Sequence, residues 1–262
     1  MTYRMMPHAN DEGLPVTRRT FATALATLPL VLTGAPRAHA SLSSITEKEP
    51  PHMIRRAFVY TETQANIPFD QVRWNNVNDG IAEQPGFIDK TWLSGRQTNS
   101  VGGLYSFESI DAALSFCTDF FPSLARDLGV AHSTRVFDGA ATAEASADMN
   151  APHFGGSVSE EPGAFVYTEV QVSRAFEDAP WRERNPDLRR QKGLISKLWL
   201  SGLNTQTLGG LDAFDSVENA LDFAINAFPK TAAAMNSAFY TRVFDARVTE
   251  TASRGLNSPY YL

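Results

Sequence analysis

Apolar and polar residues recur with two different spacings along the chain. Runs in which aromatic or β-branched residues alternate with polar ones are typical of strands, and longer runs of helix-forming composition predict helices. The predicted elements are, in order, strand 57–63, helix 69–83, strands 86–94 and 102–107, a helix capped by Ser109, and strand 133–138. Ser109 can cap because its hydroxyl accepts from the free amides of a first turn.

The same pattern occurs a second time, exactly 107 residues later. Ala57 to Glu62 repeats as Ala164 to Glu169. Roughly 36 of about 82 aligned positions are identical, without a gap, which is far above chance. Ser216 takes the capping place of Ser109. Because each copy has the order strand, helix, strand, strand, helix, strand, we predict an α+β chain of two tandem ferredoxin-like (βαββαβ) units.

A single unit of this kind leaves one face of its sheet uncovered. Two units solve this by turning their open faces together, which predicts a pseudo-dimeric α/β barrel within one chain, with a cavity between the sheets. Alternation in the second strand separates two sets of side chains. We expect Phe87, Thr91 and Leu93, with Leu194, Leu198 and Leu200, to pack on the helices. We expect Ile88, Lys90, Trp92 and Ser94, with Ile195, Lys197, Trp199 and Ser201, to line the cavity.

The first forty residues predict an export signal. Arg18-Arg19 precedes an apolar run of about 13 residues and then Ala38-His39-Ala40, the pattern of a twin-arginine signal peptide with its cleavage site. The predicted organisation is signal peptide 1–40, lead-in 41–56, first repeat 57–138, linker 139–163, second repeat 164–245 and C-terminal tail 246–262. We therefore expect a periplasmic or secreted protein, with no membrane association after signal removal.

Composition narrows the function. The 262 residues carry a net charge of −6, and the pI is near 5.4, which argues against nucleic acid as a partner. Cys117 is the single cysteine, so neither an intrachain disulfide nor a multi-cysteine metal site can form. Its apolar surroundings predict a small buried side chain rather than a nucleophile.

Several segments of each copy resemble the YdhR-type mono-oxygenases of the dimeric α/β-barrel superfamily. They are Gln84 to Trp92, Gly102 to Phe107, Ala112 to Leu114, Leu128 to Val130 and Arg135 to Asp138. The resemblance implies a barrel of paired sheets and an oxygenase without a metal or flavin motif. It places a Lys-x-Trp element on Lys90 and Trp92, and on Lys197 and Trp199. A Gly-Gly-x-Tyr element falls on Gly102, Gly103 and Tyr105, but the second copy has Asp212 in place of the tyrosine.

An oxygenase without a cofactor must bind an electron-rich aromatic molecule and stabilise its anion. The candidate catalytic residues are Lys90, Trp92, Lys197 and Trp199, in which tryptophan stacks on the substrate and lysine stabilises the oxyanion. The candidate substrate-binding residues are Tyr60, Tyr105, Tyr167, Arg135, Arg242, Glu62 and Glu169, with the two glutamates as candidate bases. Arg135 and Arg242 are equally suited to pair with acids at the seam between the copies, such as Asp138 and Asp245. No metal and no cofactor are expected.

Two other classes of protein remain open. One is a non-catalytic module that binds a small ligand or a partner. The other is a haem protein, which needs an axial ligand from His52, His132 or His153, none of which recurs in the second copy. For each of the three classes we expect a small-molecule ligand or substrate as the partner, and a monomeric pseudo-dimer or an assembly of such fused pairs.

Overall fold

The computed structural model describes residues 56–65, 67–172 and 174–261. The predicted signal peptide and nearly all of the lead-in lie outside these residues, so the expectation of export stays a prediction. Within the described ranges, every helix is too short or too polar to cross a membrane.

The first repeat forms one four-stranded antiparallel sheet with its helices on one face. Its elements are β1 (Ala57–Gln64), α1 (Trp74–Ala82), β2 (Phe87–Ser94), β3 (Ser100–Phe107), α2 (Ile110–Ser115), α3 (Phe121–Asp127) and β4 (His132–Asp138), in the sheet order β2-β3-β1-β4. A π-helical turn, Phe116–Phe120, joins α2 to α3. The predicted cap is confirmed, because the amide of Ala112 donates to Ser109 Oγ at 3.1 Å.

The second repeat has the same architecture. After α4 (Gly139–Asp148), it comprises β5 (Ala164–Gln171), α5 (Trp181–Leu188), β6 (Leu194–Ser201), β7 (Thr207–Phe214), α6 (Val217–Asp222), α7 (Phe228–Ala234) and β8 (Phe239–Asp245), in the order β6-β7-β5-β8. A last helix, α8 (Glu250–Arg254), follows. This order of strands is that of the ferredoxin-like fold, so the predicted fold class is confirmed in both halves.

Short bridges between the two sheets close the barrel. Gly95 bridges to Phe244, and Gly202 bridges to Phe137 at the equivalent place on the other side. Each contact joins the end of a β2-type strand to the last strand of the other repeat. The sheets therefore face each other, as the unpaired faces of the two units predicted.

The space between the sheets is filled, and the predicted cavity there is wrong. Phe58, Tyr60, Leu93, Leu104 and Phe137 of the first repeat form one buried cluster with Phe165, Tyr167, Leu198, Leu200, Leu211 and Phe244 of the second. The rings of Tyr60 and Tyr167 stack across the centre with their centroids 4.0 Å apart. We call this cluster the barrel interior. Aromatic and leucine side chains at this density leave no room for a substrate.

The assignment of the two faces of β2 and β6 holds at the start of each strand and is reversed beyond it. Phe87 and Leu194 pack on the helix side as expected, but a β-bulge at Phe87/Asp89 and at Leu194/Ser196 shifts the alternation. Leu93 and Leu200 therefore point into the barrel interior, while Trp92 and Trp199 pack with the helix-side residues of their own repeats. A period of two holds only where no extra residue is inserted, and the bulge inserts one.

The segments predicted as linker and tail are folded parts of the repeats. Helix α4 follows the first repeat but packs on β6 of the second, and α8 follows the second but packs on β2 of the first. The 107-residue offset persists here, since the backbone amide of Trp199 donates to Ser146 Oγ and that of Trp92 donates to Ser253 Oγ. Each repeat thus contributes an arm, residues 139–156 for the first repeat and 246–261 for the second, that covers an edge strand of the other repeat. We call these the exchanged arms, and they satisfy unpaired backbone groups of the edge strands.

Candidate functional site

Lys90 and Trp92 lie side by side on the helix-facing surface of β2. Both are buried, and β-strand spacing puts their side chains on the same face. The Trp92 indole Nε1 donates to Asn78 Oδ1 of α1 at 2.9 Å, and Asn78 Nδ2 donates to the Ala252 carbonyl of the exchanged arm at 3.1 Å. The orientation of Trp92 is therefore set jointly by its own helix and by the arm of the other repeat.

The amine of Lys90 lies against two aromatic rings. Its Nζ lies 2.8 Å from the centroid of the Trp92 ring and 4.6 Å from that of Tyr105. Within the described residues, no carboxylate comes within ion-pair distance of it. Burial lowers the pKa of Lys90 well below its ordinary value, because the charged form loses its hydration. Burial therefore favours the neutral form of the amine.

Glycine in β3 makes room for this lysine. A Cβ on Gly103 would lie 2.5 Å from Lys90 Cε and 2.9 Å from the carbonyl oxygen of Thr91. Both distances are too short for a side chain, so the Gly-Gly element serves the buried amine directly. Tyr105, two residues further along β3, shares the same face, and its hydroxyl lies 3.4 Å from Thr61 Oγ1.

A cavity of about 350 Å³ opens beside these residues, between the sheet and the helices of the first repeat. Its lining is mostly apolar, and Lys90, Trp92 and Tyr105 are part of it, together with Thr61, Val77 and Phe121. We call it the first pocket. A cavity of this kind suits a single aromatic ring, and the convergent amine and hydroxyls would orient it.

The second repeat has an equivalent cavity with different electrostatics. Lys197 and Trp199 line a cavity of about 820 Å³, which we call the second pocket. Lys197 Nζ lies 2.8 Å from Asp212 Oδ1, and both side chains are almost fully buried. Burial raises the pKa of Asp212 above its ordinary value, although the lysine opposes the shift. The lysine here is held in an ion pair, whereas Lys90 is not. The indole of Trp199 is anchored by Asn185 Oδ1 at 3.0 Å, as Trp92 is by Asn78.

Six of the predicted substrate-binding residues lie elsewhere, across the junction of the two repeats. Tyr60 donates to Glu62, and Tyr167 donates to Glu169. Glu62 also pairs with Arg242 at 3.2 Å, and Glu169 pairs with Arg135 at 3.5 Å. Of the seven predicted binding residues, Tyr105 alone lines the pocket beside its lysine. The arginines do meet acids at the seam, but these are the glutamates.

The glutamates are poor candidates for a base. Burial would raise the pKa of Glu62, but hydrogen bonds, led by that from Tyr240, and the charge of Arg242 outweigh it, so that the pKa is lowered. A carboxylate in this state holds a proton weakly. Because Glu62 and Glu169 also bond to the tyrosines of the barrel interior, the structure gives them a role in joining the repeats.

The remaining predicted groups are dispersed. His132 is exposed on β4, and His153 is buried in a short helical turn with its Nε2 3.3 Å from Asp89 Oδ1. Within the described ranges, no three acidic, histidine or cysteine residues are grouped to hold a metal. Burial raises the pKa of Cys117 to about 12, so its thiol stays protonated.

Sequence reasoning missed Asn78, Asn185 and the two arms. The arms carried a readable signal, since Ser146, Asn150 and Pro152 recur at the same offset as Ser253, Asn257 and Pro259. Sequence reasoning also missed the buried contact of His153 with Asp89. The same Asp89 carboxylate accepts a hydrogen bond from the Ser106 hydroxyl. No pattern in the chain announces a contact between a linker residue and a strand so distant in sequence.

Two ferredoxin-like units closed into one barrel define the dimeric α/β-barrel class of proteins. Within that class, residues 65–152 match the family described as "Putative mono-oxygenase ydhR". This stretch covers most of the first repeat and its arm, and about a third of the chain. No curated protein matches the chain.

Solved structures with a similar arrangement come from several bacteria. A "putative monooxygenase" from Lactobacillus acidophilus is 8% identical, with 72% of this chain and 93% of that chain covered and a TM-score of 0.44. One from Fusobacterium nucleatum is 9% identical, with 74% and 93% covered and a TM-score of 0.46. An anthrone oxidase-like protein is 14% identical, with 73% and 91% covered and a TM-score of 0.47.

Proposed function

We propose that this chain is a cofactor-independent mono-oxygenase for a small phenolic substrate, with the first pocket as its active site. The observation that carries the proposal is Lys90, a buried amine that lines an apolar cavity and has no acidic partner among the described residues. The family match supports the reaction class, and it falls on the repeat that contains this pocket.

In this proposal Lys90 acts as the base rather than as the fixed cation expected from the sequence. A neutral amine takes the proton of the phenol, and the resulting ammonium ion then stabilises the phenolate beside it. Trp92 provides an aromatic face against which the substrate ring can stack, and the hydroxyls of Tyr105 and Thr61 lie at the same wall.

The electrons come from the substrate. A phenol with a free ring position reacts with one molecule of O₂ to give a quinone and water. One oxygen atom forms the new carbon–oxygen bond, and the other leaves as water with the phenolic hydrogen and the displaced ring hydrogen. The pocket contributes the deprotonated, electron-rich form of the substrate, which is the form that O₂ oxidises most readily.

Oxygen uptake tests the proposal. Purified protein is supplied with a panel of phenols and hydroquinones in an oxygen electrode, and quinone is followed by its absorbance. We expect Lys90→Met to abolish uptake and Lys230→Met to retain it, since Lys230 is an exposed lysine outside both pockets. Because the neutral amine is the active form and burial lowers the pKa of Lys90, kcat should rise with pH and reach its plateau below pH 10.5.

Two results would contradict the proposal. Uptake that survives Lys90→Met would remove the base, and saturable phenol binding without any oxygen uptake would favour the non-catalytic binding module. A chromophore in the purified wild-type protein would instead point to the haem class.

We also propose export by the twin-arginine route, on the basis of Arg18 and Arg19 ahead of the apolar run. Replacing both with lysine should retain the protein in the cytoplasm in a fractionation experiment. Equal periplasmic yields of the two forms would refute this route.

A further inference from the structure

The two pockets correspond position by position, yet several matched positions carry different chemistry. Tyr105 beside the first lysine becomes Asp212 beside the second. Ile67 and Val77 of the first pocket become Arg174 and Arg184 of the second, while Arg73 of the first becomes Pro180. The second pocket therefore has two guanidinium groups in its lining where the first has one, at different positions, which alters the molecules it attracts.

The two arginines are available to a ligand. Both are exposed and line the second pocket, and within the described residues neither lies within ion-pair distance of a carboxylate. Their neighbours on and after α5 differ in this respect, because Arg182 pairs with Glu144 and Arg189 with Asp148. A guanidinium group at a pocket mouth is well suited to bind a carboxylate through two parallel hydrogen bonds.

The walls and the base of the second pocket define the rest of the ligand. The walls include four aromatic side chains, and the volume is more than twice that of the first pocket; the aromatic residues are Trp181, Trp199, Phe223 and Phe228. At the base, Lys197 is neutralised by Asp212, so no free amine is left to remove a proton. The pocket thus favours binding of a bulky aromatic body without deprotonation.

We propose that the second pocket is a separate, non-catalytic binding site for a bulky aromatic carboxylate, whose anionic group is held by Arg174 and Arg184. This goes beyond the oxygenase activity proposed for the first pocket. It divides the duplicated chain into one repeat that reacts with its ligand and one that retains its ligand.

Calorimetric titration with naphthalene-2-carboxylate and with its neutral methyl ester tests this division. We expect one carboxylate site per chain whose affinity falls as salt is raised. The Arg174→Ile/Arg184→Val variant carries the side chains that the first pocket has at these two positions, and it should lose roughly tenfold in carboxylate affinity, as two partly solvated ion pairs would supply. Its affinity for the ester should not change. Arg247→Val removes an exposed arginine charge outside the lining of both pockets and serves as the control.

The proposal is overturned if the double variant binds the carboxylate as tightly as the wild type, or if Arg247→Val causes the same loss. Equal affinity of the wild type for acid and ester would also overturn it. A thermal denaturation curve for each variant verifies that the exposed substitutions leave the fold intact. Since the titration needs neither oxygen nor turnover, its failure is distinguishable from failure of the oxygenase proposal.

Discussion

The buried ion pair of the second repeat allows a sharp test of how its lysine is stabilised. Asp212→Asn keeps the shape of the side chain and removes its charge. Lys197 is then left in a site where its side chain is 4% exposed and no other partner is within ion-pair distance in the described ranges. The perturbation isolates one interaction, because the lysine itself is unchanged.

The expected cost follows from that burial. Removing one partner of a buried ion pair leaves an uncompensated charge and costs about 3–5 kcal/mol. This is a large part of the roughly 5–15 kcal/mol by which a domain is stable. Replacing both partners in Lys197→Met/Asp212→Leu should cost much less, because the raised pKa of Asp212 shows that burial outweighs the attraction between the charges.

Urea denaturation of the wild type, both single variants and the double variant forms a complete cycle. The coupling free energy that the cycle returns isolates the interaction between the two side chains.

A loss below about 1 kcal/mol in Asp212→Asn, the range of an exposed pair, would show that the site is wetter than the structure indicates. A double variant as unstable as either single variant would show that the residues act through packing rather than charge. Either result would refute the electrostatic contrast drawn between the two repeats.

Three further predictions concern the first repeat and the seam. Lys90→Met should raise the free energy of unfolding at pH 7 by about 1.4 kcal/mol for each unit by which burial lowers the lysine pKa. This gain in stability should shrink as the pH approaches 10.5, and a difference in urea melts that does not change with pH would contradict the prediction. Gly103→Ala should destabilise by about 1–3 kcal/mol, because its Cβ would meet both Lys90 Cε and the strand backbone, and an unchanged Tm would disprove that contact. A double-mutant cycle on Glu62 and Arg242 should give a coupling energy of at most about 1 kcal/mol, since the guanidinium is 39% exposed; a value near 3 would mean that the seam is dry.

The asymmetry of the pockets explains how one duplicated chain can hold two different sites. The shared elements of both pockets are the lysine, the tryptophan, its asparagine anchor and the exchanged arm. These contacts maintain the architecture, so single changes at the mouth and beside the lysine can alter the chemistry without disturbing the fold.

The sequence by itself determined the duplication, the order of strands and helices, and the helix caps. Each of these depends on local pattern or on comparison of the chain with itself. The alternation of side chains predicted β2, and the predicted Ser109 cap was confirmed. Both features depend only on residues that are close together in the chain. The pairing of the two sheets also followed, since an uncovered sheet face must find a partner.

The tertiary structure decided where the candidate chemistry lies. It filled the space between the sheets, turned Lys90 and Trp92 towards their own helices, and moved Glu62 and Arg242 to the seam. The two-residue period of a strand assigns side chains to two faces of the sheet, but it does not determine which part of the protein covers each face. Segments far apart in the chain determine which face of the sheet is covered, how deeply a lysine is buried and whether a carboxylate lies beside it. These features determine whether burial favours the neutral amine or the lysine forms an ion pair.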